Sequence, residues 1–170
     1  MPVILASSHF WAKGQLYLPG DDDSLVEIKF RGRFRRLRAT ERKDLDRRLF
    51  AGNLTPDVRA ELEKRLAETS ADLTDKQRAE IRANLDAQPI SNEECLDIVL
   101  DGWDIKDANG DPLLYTPENR AAVFDELDGM PGALVRAWDQ AEVNARNPAT
   151  AEKNSGKQSG PSTPSLPLKR

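Results

Sequence analysis

Few side chains in this sequence could begin a reaction. His9 is the only histidine and Cys95 the only cysteine. An imidazole can serve as a general base, but it needs a nucleophile within reach and a third group to orient it. Ser7 and Ser8 adjoin His9 on a stretch that reads as mobile, and a catalytic role is not expected. Cys95 sits beside Leu96 and Ile98 on a helical pattern, where a buried structural thiol is the expectation. One cysteine and one histidine this far apart cannot build a zinc site. Asp107-Ala108-Asn109-Gly110-Asp111 has the composition of a calcium loop. With Gly110 at the loop's sixth position, the first and twelfth fall on Ile105 and Thr116, where carboxylates belong. That run is therefore expected to be an Asn-Gly turn between two short extended pieces. There is no glycine-rich phosphate loop and no paired serine–lysine motif. The expectation is a protein that is not an enzyme, with no catalytic, cofactor-binding or metal-binding residues and no cofactor.

The elements behind those residues belong to a chain of 170 residues, 38% hydrophobic and 32% charged, with a net charge of -4. That is room for one modest domain with a thin core. No run of 18 apolar residues exists, so no membrane span is expected. The opening Met1 to Ala6 lacks the basic start and apolar length of a signal peptide. One cysteine allows no internal disulfide and fits a reducing compartment, so a cytoplasm is expected.

Trp11, Leu16, Tyr17 and Leu18 suggest a first strand, and Gly20-Asp21-Asp22-Asp23-Ser24 a turn. From Leu25 to Phe34 the alternation is regular, with Val26, Ile28, Phe30 and Phe34 opposed to Glu27, Lys29, Arg31, Arg33 and Arg35. Period two predicts a half-buried strand, and the two strands an antiparallel hairpin resting on helices. A helix follows over about 41–50, capped by Thr40 and ended by Gly52-Asn53. Thr55-Pro56-Asp57 and Leu73-Thr74-Asp75 start two more helices. Their stripes, Val58, Leu62 and Leu66, then Ile81 and Leu85, are one residue wide, so 55–88 reads as an inserted helical hairpin with little core of its own. Ser91-Asn92-Glu93-Glu94 is a capping box. Leu96, Val99, Leu100 and Trp103 follow at helical spacing, with Gly102 marking the end. Thr116-Pro117 opens a helix expected to bury Ala121, Phe124 and Leu127. The last helix, about 132–146, turns Leu134, Ala137, Trp138 and Ala141 inward. Residues 148–170 are rich in Ser, Pro, Gly, Lys and Thr and are expected to be disordered. The predicted fold is α+β: an N-terminal antiparallel β-hairpin packed on a mainly α-helical domain spanning 1–147, then a disordered tail.

Charge is segregated along the chain. Residues 27–48 hold ten basic and four acidic groups, whereas 86–128 hold twelve acidic and two basic ones. Three readings stand: solvated faces; head-to-tail self-association of basic hairpin on acidic helices, where complementarity would steer and set register; or phosphate binding by the hairpin. Little aromatic interleaving and the overall acidity make nucleic acid an unfavoured partner.

Three stretches together resemble the tail assembly chaperones of long-tailed, siphovirus-type bacteriophages. The first is Phe10 to Gly20, ending Leu18-Pro19-Gly20, then Val26-Glu27-Ile28-Lys29-Phe30 and the basic patch Phe30-Arg31-Gly32-Arg33-Phe34-Arg35-Arg36-Leu37, followed by the helix start Thr40 to Leu45. The second is Leu100-Asp101-Gly102-Trp103-Asp104, leading to Thr116-Pro117-Glu118-Asn119. The third is Pro131-Gly132-Ala133-Leu134-Val135-Arg136-Ala137-Trp138, with Lys153-Asn154 near the family's usual closing segment. The likeness covers about residues 10–50 and 91–154. Residues 55–88 depart from it as an insertion, and 155–170 extend past it.

The resemblance implies a protein that binds the tape-measure protein and assists recruitment of tail-tube subunits. It would act in the host cytoplasm and be absent from the finished virion. Many family members exist in two lengths through a ribosomal frameshift, and slippage near Lys153-Asn154 would make 155–170 one of two endings. Such a chaperone would cover apolar stripes of a long helical client reversibly, many weak groove contacts adding by avidity. The candidate protein-contact residues are Arg31, Arg33, Arg35 and Arg36 of the hairpin, with Trp103 and Trp138. The rival functions are a nucleic-acid-binding regulator using the basic hairpin and a structural virion protein such as a head–tail connector.

Overall fold

A computed structural model describes residues 7–68 and 73–146. The fold is α+β, and among the described residues it comprises one four-stranded antiparallel sheet in the order β1-β2-β3-β4 and six helices. The expectations for Met1 to Ala6, for a disordered 148–170 and for slippage at Lys153-Asn154 lie outside the described residues.

Strands β1 (His9–Pro19) and β2 (Leu25–Arg35) pair along their whole length, from His9 opposite Arg35 to Pro19 opposite Leu25. From Ile28 onward the alternation does what period two requires, whereas Val26, expected inward, is exposed next to the turn. Ala12, Leu16, Phe30 and Phe34 are buried, while Lys13, Lys29, Arg31 and Arg33 face solvent. The hairpin turn closes where the Gly20 amide donates to Ser24 O at 2.7 Å. Asp23 takes the left-handed conformation there, φ 60°, which aspartate tolerates better than most residues. Gly14 is required by packing: a Cβ on it would lie 2.3 Å from Phe30 Cζ. The Phe30 ring thus lies over the bare backbone of its cross-strand partner.

Helix α1 (Ala39–Gly52) begins just before Thr40, the expected cap. The Glu41 carboxylate accepts the Arg38 amide at 2.8 Å and does the capping from inside the first turn. Helices α2 (Pro56–Ala67) and α3 (Asp75–Leu85) follow, and Leu85 is the only buried residue either contributes.

Helix α4 (Asn92–Val99) stops before the expected Gly102, and Leu100–Lys106 forms strand β3 instead. The helical spacing of Leu96, Val99, Leu100 and Trp103 yields to pairing with β2. Leu100 lies opposite Phe34, Gly102 opposite Arg33, Trp103 opposite Gly32 and Asp104 opposite Arg31, with a bulge between Arg33 and Phe34. A central strand with a free edge supplies backbone partners that a further helical turn could not match for β2. The bulge lets Leu100, Gly102, Trp103 and Ile105 all be buried, which strict alternation would not. The run Asp107–Asp111 is the expected turn between extended pieces: the Asp107 carboxylate accepts the amides of Asn109 and Asp111, both at 2.9 Å. It leads into the short strand β4 (Pro112–Leu113).

In α5 (Pro117–Glu126) the buried residue is Val123. Ala121 is exposed, and Phe124 and Leu127 are half-buried, so the expected inner face is rotated by about one position. Helix α6 (Met130–Arg146) packs on β1, β2 and α4. Phe34, Leu96, Met130, Leu134 and Trp138 have almost no exposed surface and form the centre of the core. One cation enters it. Arg42, 5% exposed, donates to Asp46 and Asp139, and its guanidinium stands 3.8 Å from the centroid of the Trp138 ring. No helix among the described residues is long and apolar enough to cross a membrane.

Candidate functional site

The fold gives His9 a second neighbour, Asp101, that the sequence did not foretell. Its Nδ1 lies 2.8 Å from Ser8 Oγ, and its Nε2 lies 3.3 Å from Asp101 Oδ2. These are the residue types of a nucleophile–base–acid relay. The setting is not that of a reaction site. Ser8 is exposed, and Asp101 shares its carboxylate with Arg33 Nη1 at 3.3 Å. None of the three lines either of the two cavities described below. The trio ties the start of β1 to the bulge of β3. Cys95 is fully buried, and burial pushes its thiol up to about 12, so it is protonated at neutral pH. Among the described residues, no group of His, Cys, Asp and Glu is placed to hold a metal ion.

The six candidate contact residues divide. Arg31, Arg33 and Arg35 stand on the exposed face of the sheet, and Arg36 follows it with its guanidinium 5.1 Å from the Phe10 ring centroid. Trp103 and Trp138 are core residues instead. Trp103 donates from Nε1 to Leu113 O at 2.8 Å and meets Tyr115 edge-on, centroids 4.9 Å apart. Trp138 is 1% exposed beneath Arg42. These two shape the body that carries a surface and do not form one.

Part of the charge complementarity is satisfied within one chain. Asp101, from the acidic segment, pairs with Arg33, and Asp104 lies in register with Arg31. Lys29 is paired with Glu27 at 3.1 Å. The hairpin face is also more aromatic than its sequence suggests. Trp11 and Tyr17 fall on the solvent side, 47% and 50% exposed, and Arg31 stands 5.0 Å from the Trp11 ring centroid.

Where β2 parts from β3, a groove opens. Their pairing covers only Arg31 to Phe34, and beyond it α6 runs beneath the hairpin. The groove has a volume of about 760 Å³ and takes its lining from β1, β2, β3 and α6. Gly14, Phe30, Ala133 and Ala137 supply apolar surface. Lys13, Lys29, Arg31, Lys106 and Arg136 contribute five cations against one carboxylate, Asp104. Lys13, Lys106 and Arg136 have no acidic partner among the described residues. An apolar lining beside unpaired cations suits a segment that offers small apolar side chains and carboxylates together. No single stretch announces this groove, because its cations come from segments around 13, 29–31, 106 and 136. The second cavity, between Ser91–Glu93 and Asp128–Gly132, is half that volume, about 380 Å³, and polar.

No protein-family model, no curated protein and no solved structure matches this chain.

Proposed function

We propose that this chain is a tail assembly chaperone of a long-tailed bacteriophage, holding the tape-measure protein while tail-tube subunits are recruited around it. The observation that carries the reading is the groove between hairpin and α6, with its apolar lining and three cations lacking acidic partners among the described residues. A helical client with apolar stripes and interspersed carboxylates fits such a surface, and repeated weak engagement along a long client adds by avidity. The resemblance supports the same reading, since its three stretches contribute Phe34, Trp103 and Leu134 to a single core cluster. On this reading the protein works in the host cytoplasm and is absent from the finished virion.

Co-expression with the tape-measure protein of the same genome, followed by pull-down, tests it. The two should co-purify, and Lys106→Glu with Arg136→Glu should weaken the complex by about tenfold, equivalent to about 1.4 kcal/mol. Failure to form a complex overturns the proposal. Presence of the protein in purified particles would favour a structural virion role.

The exposed Trp11 and Tyr17 among Lys13, Arg31 and Arg33 favour a second reading, single-stranded nucleic acid stacking on the sheet. It predicts quenching of Trp11 fluorescence by an oligonucleotide, with a log–log salt slope of several units.

A further inference from the structure

The two edges of the sheet are treated differently. The β4 edge is two residues long and begins with Pro112, which limits further pairing. The β1 edge runs for eleven residues. Its register with β2 has no bulge, its only proline is terminal Pro19, and its one formally charged side chain is Lys13. Charges, bulges, prolines and short length are the devices that keep edges from pairing, and β1 has almost none of them. Among the described residues, no backbone group of 10–18 bonds to a loop or turn outside the sheet.

We propose that β1 is a dimerisation edge, pairing antiparallel with β1 of a second copy about a two-fold axis at Gly14, so that two sheets become one of eight strands. The strand is self-complementary in that register. Trp11 falls opposite Tyr17 of the second copy on the exposed face, where each is about half-exposed in the single chain. Phe10 falls opposite Leu18 and Ala12 opposite Leu16 on the helix-covered face. Lys13 falls opposite Gln15, so no like charges oppose each other directly. At the axis the Gly14 of each copy, covered by its own Phe30 ring, lies against its equivalent. A register centred on Lys13 would set two ammonium groups face to face, and one centred on Gln15 would leave His9 and Phe10 unpaired. Cross-strand aromatic pairs and the absence of opposed charge select the middle register. This mode differs from head-to-tail charge pairing; it shares Lys13, Gly14 and Gln15 with the groove lining but is tested by self-association alone, without a client.

Sedimentation of the full chain should show a dimer that persists as salt is raised. Lys13→Cys and Gln15→Cys chains, mixed and mildly oxidised, should give a cross-linked heterodimer. Directly opposed residues lie about 4.5–5.5 Å apart at Cα, within disulfide reach. Either variant alone should cross-link poorly, since diagonal neighbours lie at about 7–8 Å. Buried Cys95 stays silent. Gln15→Lys, which opposes Lys13 twice per dimer, should raise the dissociation constant by about fivefold, and Gln15→Glu should lower it. Both positions are exposed, so the core is untouched. A chain that is monomeric at every accessible concentration overturns the proposal. So does a dimer that dissociates in salt or ignores the Gln15 variants. Cross-linking of the Lys13→Cys chain to itself as readily as to the Gln15→Cys chain overturns it too.

Discussion

The α2–α3 pair and the body made of the sheet, α1, α4, α5 and α6 begin from equally good local signals. Thr55, Thr74, Ser91 and Thr116 each cap a helix by accepting a backbone amide. The helices behind those caps differ. Helix α6 presents Met130, Ala133, Leu134, Ala137 and Trp138 as a broad buried face, whereas α2 buries nothing and α3 buries Leu85 alone. Local chemistry decides that a helix forms, and the width of its apolar stripe decides how much it stabilises the whole. The path of the chain makes the contrast sharper. It leaves α1 at Gly52 and returns at Ile90, whose amide donates to Arg48 O at 3.3 Å. A Cβ on Gly52 would lie 2.3 Å from Ile90 O, so the excursion starts and ends at one place.

The largest effect should separate the two regions by substitution. Trp138→Ala or Phe34→Ala removes a fully buried ring and should cost about 3–5 kcal/mol. Leu62→Ala, at a half-buried position of α2, should cost under about 1 kcal/mol. Urea denaturation followed by tryptophan fluorescence measures both. Equal losses would mean that α2 belongs to the cooperative core.

Deleting the excursion is the next test. Joining Asn53 to Pro89 through a short Gly/Ser linker should leave a chain that unfolds in one transition, less stable by about 2 kcal/mol for the lost burial of Leu85. A deletion variant with no near-ultraviolet tryptophan signal would show that the pair is needed for the body to fold.

Thiol chemistry compares opening rates without changing the fold. Cys95 should react with a thiol reagent only as fast as the core unfolds, whereas a cysteine at Leu62 in a Cys95→Ala background should react faster through local opening. The pH dependence has a definite sign. Burial raises the Cys95 thiol from an ordinary value of 9.0 to about 12. Its contribution is full below the unfolded value and is lost as pH rises from 9.0 towards about 12. Alkaline destabilisation should therefore be smaller in Cys95→Ala than in the native sequence.

What could be read from the sequence was whatever neighbours decide. The hairpin turn, the Asn-Gly turn and the caps at Thr55, Thr74, Ser91 and Thr116 rest on residues one to four apart, and each is found; the cap expected at Thr40 is not, since α1 starts at Ala39 behind Arg38. The strand Leu100–Lys106 was not legible because β2, some seventy residues earlier, decides it. Nor was the solvent side of Trp11, since Trp11 and the apolar pair Leu16 and Leu18 have opposite parity along β1. The groove was hidden for the same reason on a larger scale: it joins cations from four segments, none conspicuous alone, while the conspicuous Arg33 is already paired with Asp101. Trp138 was already legible as an inner-face residue of its helix and Trp103 as part of an apolar spacing, and both are in the core, so their candidacy as contact residues fails.

The smallest effect is also the most discriminating, because the two regions carry the same device. In α4 the Ser91 hydroxyl accepts the Glu94 amide at 3.2 Å and the Glu94 carboxylate accepts the Ser91 amide at 2.7 Å. In α3 the Thr74 hydroxyl accepts the Gln77 amide at 3.3 Å and the Gln77 side chain accepts the Thr74 amide at 2.8 Å. Loss of such a cap costs about 1 kcal/mol to the helix that carries it. Ser91→Ala should lower the global stability by about that amount, because α4 is buried through Cys95, Leu96 and Val99 and cannot open alone. Thr74→Ala should leave the global value nearly unchanged and speed hydrogen exchange within α3, whose opening exposes only Leu85. Acid sharpens the difference. Hydrogen bonds from the Ser91 amide and hydroxyl hold the Glu94 carboxyl below its ordinary value, so that box is intact above the unfolded carboxyl's titration and weakens as pH falls through the folded one. Gln77 has no such titration. Hydrogen exchange measured across the acid range should therefore show α4 losing protection relative to its own neutral value while the cap of α3 holds. The reverse order would place the firmer end of the molecule in the excursion.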